Sequence, residues 1–264
     1  MPSAYAHYKF GRDVYKLLPD EMKREIRKHS ELYNIGLHGP DILFYYKPLW
    51  KNSVSSVGYR LHELPVAEFF ERAKKLVAAE GSSKGECAYL YGFLCHYILD
   101  SNCHGYVSEK IEASGVCHTE IETEFDRFLM ERDGIDPIRH SLTGHINPSR
   151  ENAEVIAPFF PKVTVGQTEK ALRSMKWYHG ILLAPGRAKR FVVDSCMRLT
   201  GSGYESIRGM MMNYEKNDSC IDSSEWLYEL YKNGLQEAAE MLPAFRRALR
   251  TGERLPERYQ RNFE

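Results

Sequence analysis

The stretch "KGECAYLYGFLCHYILDSNCHGYVSEK", Lys84 to Lys110, decides the fold. It is unusually apolar for its length and predicts a central helix buried nearly all round. Upstream, "PVAEFFERAKKLVAAEG" follows Pro65 and stops at Gly81. Phe69, Phe70, Ala73, Leu76 and Val77 recur there at spacings of three and four, an amphipathic helix facing a core. Downstream, "CHTEIETEFDRFLMERDG" predicts another helix, ending near Gly134. Pro19 and Asp20 open a further charged, periodic run. "SSEWLYELYKNGLQEAAEMLPAFRRALRTG" begins at a Ser-Ser-Glu capping signal and closes the chain as one or two helices. Strand signals are sparse: "FFPKVTV" and "RFVVDSC" are short β-branched runs that suit helical structure as well. Pro137, Pro148, Pro158 and Pro161 mark a loop-rich stretch between Asp133 and Gln167. The expectation is a single all-α domain over residues 1–264, with about eight to ten helices.

Composition narrows the function classes. The 264 residues are 43% hydrophobic, enough for one large core. The 36 basic and 36 acidic side chains cancel, so there is no strong nucleic-acid signal. Mean hydropathy is -0.48, and no apolar run is long enough for a transmembrane helix. The N-terminal stretch has no apolar segment behind a basic start, and the six cysteines form no C-x-x-C motif. Both features fit a reducing cytoplasm better than a disulfide framework.

Within the central helix, His96, Asp100 and His104 follow one another at intervals of four. Residues so spaced share a helix face, about 6 Å apart along the axis. Polar groups in such an apolar helix need partners, and metal ions are such partners. His96 and His104 stand about 12 Å apart, too far to hold one ion together. Asp100 lies midway, and its two oxygens could bridge two ions. The next helix offers His118 and Glu122, again four apart. Among the cysteines, Cys95 turns about 100° away from His96, whereas Cys103 lies only about 20° off in angle, so angle leaves it open as a ligand.

These residues resemble the zinc-dependent phospholipase C family, whose distant relatives are the single-strand-specific zinc nucleases. The resemblance rests on "YAHYKFG" with His7, "GPDILFYY" with Asp41, "GYRLHELP" with His62, "HYILDSNCH" with His96, Asp100 and His104, and "HTEIE" with His118 and Glu122. It implies the all-α fold of that family and a cluster of two or three Zn2+ ions. By the same resemblance, Asp41, His62, His96 and Asp100 surround one zinc, and His104, His118 and Glu122 hold a second. Asp100 bridges to a further ion shared with His7. Two departures stand out. In secreted members the third ion also binds a processed N-terminus, whereas six residues precede His7 here. The interval from the helix aspartate to the next histidine also looks shorter than in the secreted enzymes.

The activity so implied is hydrolysis of a small phosphodiester or phospholipid headgroup by zinc-activated water, with Asp41 as the catalytic base or water-orienting group. Two rivals remain, a nuclease-like phosphodiesterase on the same scaffold and a metal-stabilised binding protein without turnover. Asp41 follows Gly39-Pro40, a setting for a helix N-cap or for a carboxylate aimed from a loop end. His38 is placed behind Asp41, and His29, His140 and His145 are assigned to surface or loop. "FYYKPLW" and "KWYHG" supply clustered aromatics, and His179 is a candidate to reach the pocket.

Overall fold

The computed structural model describes residues 4–79 and 84–263. The chain opens with α1 (Ala4–Leu17), α2 (Asp20–Lys28) and α3 (Ser30–Gly36), then a 3-10 segment, Gly39–Tyr45. α4 (Ser53–Glu63) and α5 (Val66–Ala79) lead to the long central helix α6 (Lys84–Ser114). α7 (His118–Arg132), α8 (Arg150–Ile156), α9 (Val165–Leu182), α10 (Arg187–Arg198) and α11 (Tyr204–Gly209) precede α12 (Ile221–Thr251). No described residue is in a strand, as the all-α reading expects.

The central helix is enclosed as its composition predicts, with α1, α2, α3, α5, α7, α8 and α12 all packing on it. Tyr89, Leu90, Tyr91, Phe93, Leu94, Cys95, Tyr97 and Ile98 are almost completely buried. Two glycines set the tightest crossing. A Cβ on Gly92 would lie 2.2 Å from the Tyr33 carbonyl, and one on Gly36 would lie 2.2 Å from the Tyr89 carbonyl. Only hydrogen at both positions lets the backbones of α3 and α6 touch, which draws the Gly39–Tyr45 segment against α6.

The described residues form twelve α-helices, more than the expected eight to ten, because α3, α8 and α11 are short helices of six or seven residues without their own periodic signal. "RFVVDSC" lies inside α10, and "FFPKVTV" runs from a 3-10 turn (Ala157–Phe159) into α9. An isolated β-branched run has no strand to pair with, so helical hydrogen bonding prevails. The Ser-Ser-Glu signal is not the start of α12. The helix begins at Ile221, and the Ser223 hydroxyl donates back to the Cys220 carbonyl at 3.0 Å. It is one helix, running through Pro243 to a left-handed Gly252. The predicted stop of α5 at Gly81 lies outside the described residues.

Candidate metal centre

Five elements bring the predicted site residues together. Gly39 adopts a left-handed φ of 47°, and a Cβ there would lie 2.2 Å from the His96 ring. This turn lays the 3-10 segment directly on α6 and buries Asp41, which is 2% exposed. Asp41 is therefore an inward carboxylate in the first turn of that segment. Asn52 caps α4 by accepting from the Val54 and Ser55 amides, and the last turn of α4 carries His62. His62 Nδ1 lies 2.9 Å from the Gly58 carbonyl. A carbonyl can only accept, so Nδ1 holds a proton and Nε2 is the atom turned toward Asp41, where it can carry a proton or take a metal. At the start of α1, the buried Asp126 carboxylate of α7 accepts from the Tyr5 and Ala6 amides at 3.0 and 2.7 Å, which fixes the turn that carries His7.

Among the described residues, Asp41, His62 and His96 are the three candidate ligands whose donor atoms all lie within 4.8 Å of one another. His62 Nε2 is 3.0 Å from Asp41 Oδ1, and His96 Nε2 is 3.9 Å from the same oxygen. The His62–Asp41 pair is at ion-pair distance, and the same two atoms are placed to share a cation. Asp100 stands beside this trio. Its Oδ2 lies 3.9 Å from His62 Nε2, and its Oδ1 lies 3.8 Å from His7 Nε2. One oxygen faces each histidine, the midway position that helix spacing predicts.

Hydrogen bonding and charge fit a divalent cation. Both nitrogens of His96 and both oxygens of Asp100 are buried with no hydrogen-bond partner among the described residues. Leaving four such atoms unsatisfied costs several kcal/mol unless something else satisfies them. Burial holds His7 down to about 4 and His96 well below its usual range, so both imidazoles are neutral. Burial raises Asp100 to about 7, and Asp41 adds repulsion. Asp41 itself stays ionised against burial beside His62, and in turn it raises His62 above its ordinary imidazole range although burial works the other way. Neutral imidazoles and crowded carboxylates are the donor set that zinc takes.

The second predicted group is looser. His118 Nε2 and Glu122 Oε1 are hydrogen-bonded at 3.1 Å, and the His104 and His118 rings are 5.4 Å apart. These three do not converge within 4.8 Å as the first trio does. A small cavity of about 20 Å³ lies instead between His7, Asp100, Glu122 and Cys103. Cys103 thus faces the cluster, but burial and the carboxylates of Asp100 and Glu122 keep its thiol protonated in the absence of a cation.

The other histidines take different places. His145 lies in a turn between α7 and α8 but points inward: its Nε2 lies 2.7 Å from His38 Nε2, and its ring stacks on Tyr8 at 3.9 Å. His38 is buried behind Asp41, as expected. His179 is buried and bonds Tyr45 through Nε2 at 2.8 Å, so it anchors the end of the Asp41 segment. Asp126 was not singled out by its sequence, although it continues the His118 and Glu122 spacing by a further four residues. Beside the cluster opens a groove of about 260 Å³ with Phe44, Tyr45, Pro48, Tyr59 and Met210 in its walls. No helix among the described residues is long and apolar enough to cross a membrane.

No curated protein and no solved structure matches the chain significantly. The family model described as zinc dependent phospholipase C matches residues 6–174, well over half of the chain, and that span carries His7, Asp41, His62, His96, Asp100, His104, His118 and Glu122. The chain belongs to the zinc dependent phospholipase C family.

Proposed function

We propose that the chain is a metal-dependent hydrolase of phosphate diesters, with Asp41, His62, His96 and Asp100 holding one zinc and His7, His104, His118 and Glu122 holding one or two more. The carrying observation is the buried trio Asp41, His62 and His96, with Asp100 facing both His62 and His7. Zinc there supplies positive charge for phosphoryl oxygens and water acidified toward neutrality. The chain's own part is to hold, orient and take protons. The Gly58 carbonyl fixes the His62 tautomer, and Asp126 fixes the turn of α1 under His7. Asp41, kept ionised beside His62, orients the attacking water and can take its proton as the phosphorus–oxygen bond to the leaving alcohol breaks. The leaving group lies in the uncharged aromatic groove of Phe44, Tyr45 and Tyr59. We read the whole of residues 1–264 as one catalytic unit working in the cytoplasm, a setting consistent with six cysteines free of disulfides among the described residues.

Elemental analysis of the purified chain, paired with chromogenic phosphodiesters and a single-stranded oligonucleotide, tests this reading. The expected result is more than one zinc per chain and turnover of small choline- or glycerol-type phosphodiesters. Less than one metal per chain with no gain on adding zinc would overturn it. Preferred cleavage of the oligonucleotide would select the nuclease-like rival, and tight metal without turnover the binding-protein rival.

A further inference from the structure

α10 is built inside out. Arg190, Val193, Asp194 and Met197 recur at spacings of three and four and face the protein. The opposite stripe carries Phe191, Val192 and Leu199, which are 74%, 58% and 87% exposed. A helix on a folded surface ordinarily turns such a stripe inward. This one lies beyond residues 6–174, so it is not part of what the family model matches.

The charge around the stripe is equally distinctive. The chain as a whole balances 36 basic against 36 acidic side chains. Between Arg187 and Arg208, however, five basic residues face only Asp194 and Glu205. Arg187, Arg190, Arg198 and Arg208 line an open groove of about 620 Å³ together with Phe191, Asp194, Tyr204 and Tyr214, and Asp194 pairs with Arg198 at 3.0 Å and Arg208 at 3.6 Å. Lys189 donates to the Gly180 and Leu183 carbonyls, and Arg190 to the Ala184 and Met212 carbonyls. These neutral acceptors fix the side chains without cancelling their charge. Arg190 also lies 4.0 Å from the centre of the Tyr214 ring, which keeps it at the groove wall.

Exposed apolar side chains beside a rim with a net excess of cations match one kind of surface, an anionic lipid bilayer. A nucleic acid would use the cations but find no partner for Val192 and Leu199. α11 connects this face to the candidate site. Its Tyr204 and Arg208 line the basic groove, and its Ser206, with Met210 just past its end, lines the aromatic groove beside the metal cluster. Pro48 and Tyr59 line the aromatic groove, and Leu49, Trp50 and Tyr59 are also exposed. We infer that α10 is an interfacial anchor that lies flat on anionic membranes, with Phe191, Val192 and Leu199 entering the bilayer and the exposed Arg187 and Lys189 meeting lipid phosphates.

Sedimentation with phosphatidylcholine vesicles, with and without about one-third phosphatidylglycerol, tests the anchor. The unsubstituted chain should bind the anionic vesicles and release them as salt rises. Phe191→Ser with Leu199→Ser should weaken binding at least about tenfold. Arg187→Gln with Lys189→Gln should cost about fivefold per charge. Both pairs replace exposed side chains, and an unchanged urea midpoint verifies their folding. An independent readout needs no variant: anionic vesicles should slow alkylation of the exposed Cys196, with half-buried Cys87 and Cys117 as internal references. Absence of vesicle binding, equal binding by the Phe191/Leu199 variant, or an unprotected Cys196 overturns the proposal. So does retention on a single-stranded oligonucleotide in place of vesicles, or a dimer that the same variant dissolves while vesicles go unbound. Binding is read without turnover, so failure here is separate from failure of the hydrolase reading.

Discussion

Asp100 shows how the cluster trades stability for affinity. It is almost completely buried, and Asp41 and Glu122 both repel its charge. Asp100→Asn keeps the shape and removes the charge. We expect it to lower metal content and to cut turnover by about 100-fold or more. In chelator-treated protein the same change should instead stabilise the fold by about 1–2 kcal/mol, because a buried unpaired charge is gone. Metal analysis and urea unfolding of both forms check the two signs, and an unaltered metal content would remove Asp100 from the ligand set. Gly39→Ala tests the other side of His96. It combines a positive φ with a Cβ pressed into the imidazole, and should cost about 2–3 kcal/mol or more along with metal affinity. A urea midpoint equal to the parent's would show that the turn is not constrained as described.

At the scale of elements, α1 is placed by a side chain from another helix. Asp126→Ala leaves the Tyr5 and Ala6 amides without their acceptor, which should cost about 1–3 kcal/mol and loosen His7. Denaturant unfolding measures the first, and zinc titration measures the second. A loss of zinc affinity confined to the His7 side is expected, and full affinity would separate His7 from the centre. This contact also marks the limit of what the chain alone discloses. The His96, Asp100 and His104 stripe was legible because it lies within one helix, where angle and rise are fixed. Asp41 and His62 were legible only through family resemblance, since no local rule joins a 3-10 segment to α4. The Asp126 cap, the His38–His145 contact and the outward face of α10 were not legible. Each depends on which face a neighbouring helix presents, and that is settled by packing across more than a hundred residues of sequence in the first two cases. The start of α12 was misplaced for a related reason: a serine inside a first turn and a serine at a cap read alike in sequence.

Across the whole molecule, α2 and α12 are tied by an ion network. Arg246 grips Glu25 in bidentate fashion at 3.1 and 2.8 Å, and Tyr91 of α6 donates to the same carboxylate at 3.2 Å. Burial alone would raise Glu25, but Arg246 outweighs it and holds the carboxyl below its ordinary 4.5. A depressed carboxyl contributes stability that is present above its ordinary value and lost as pH falls through its folded value. The fold should therefore weaken below about pH 4.5, and Glu25→Gln should flatten that part of the profile. The change is on the order of 1 kcal/mol for a partly exposed network. Urea midpoints measured from neutral to acid pH give the answer, and superimposable profiles would exclude the network as a contributor. One contact from the far end of the chain remains to be weighed. Phe263 packs its ring 4.6 Å from His62 and 5.7 Å from His96, and its amide reaches the His62 carbonyl at 3.3 Å. Every candidate ligand, from His7 to Glu122, is synthesised long before Phe263. A cation that meets those donors earlier in synthesis meets them without this aromatic cover on His62 and His96.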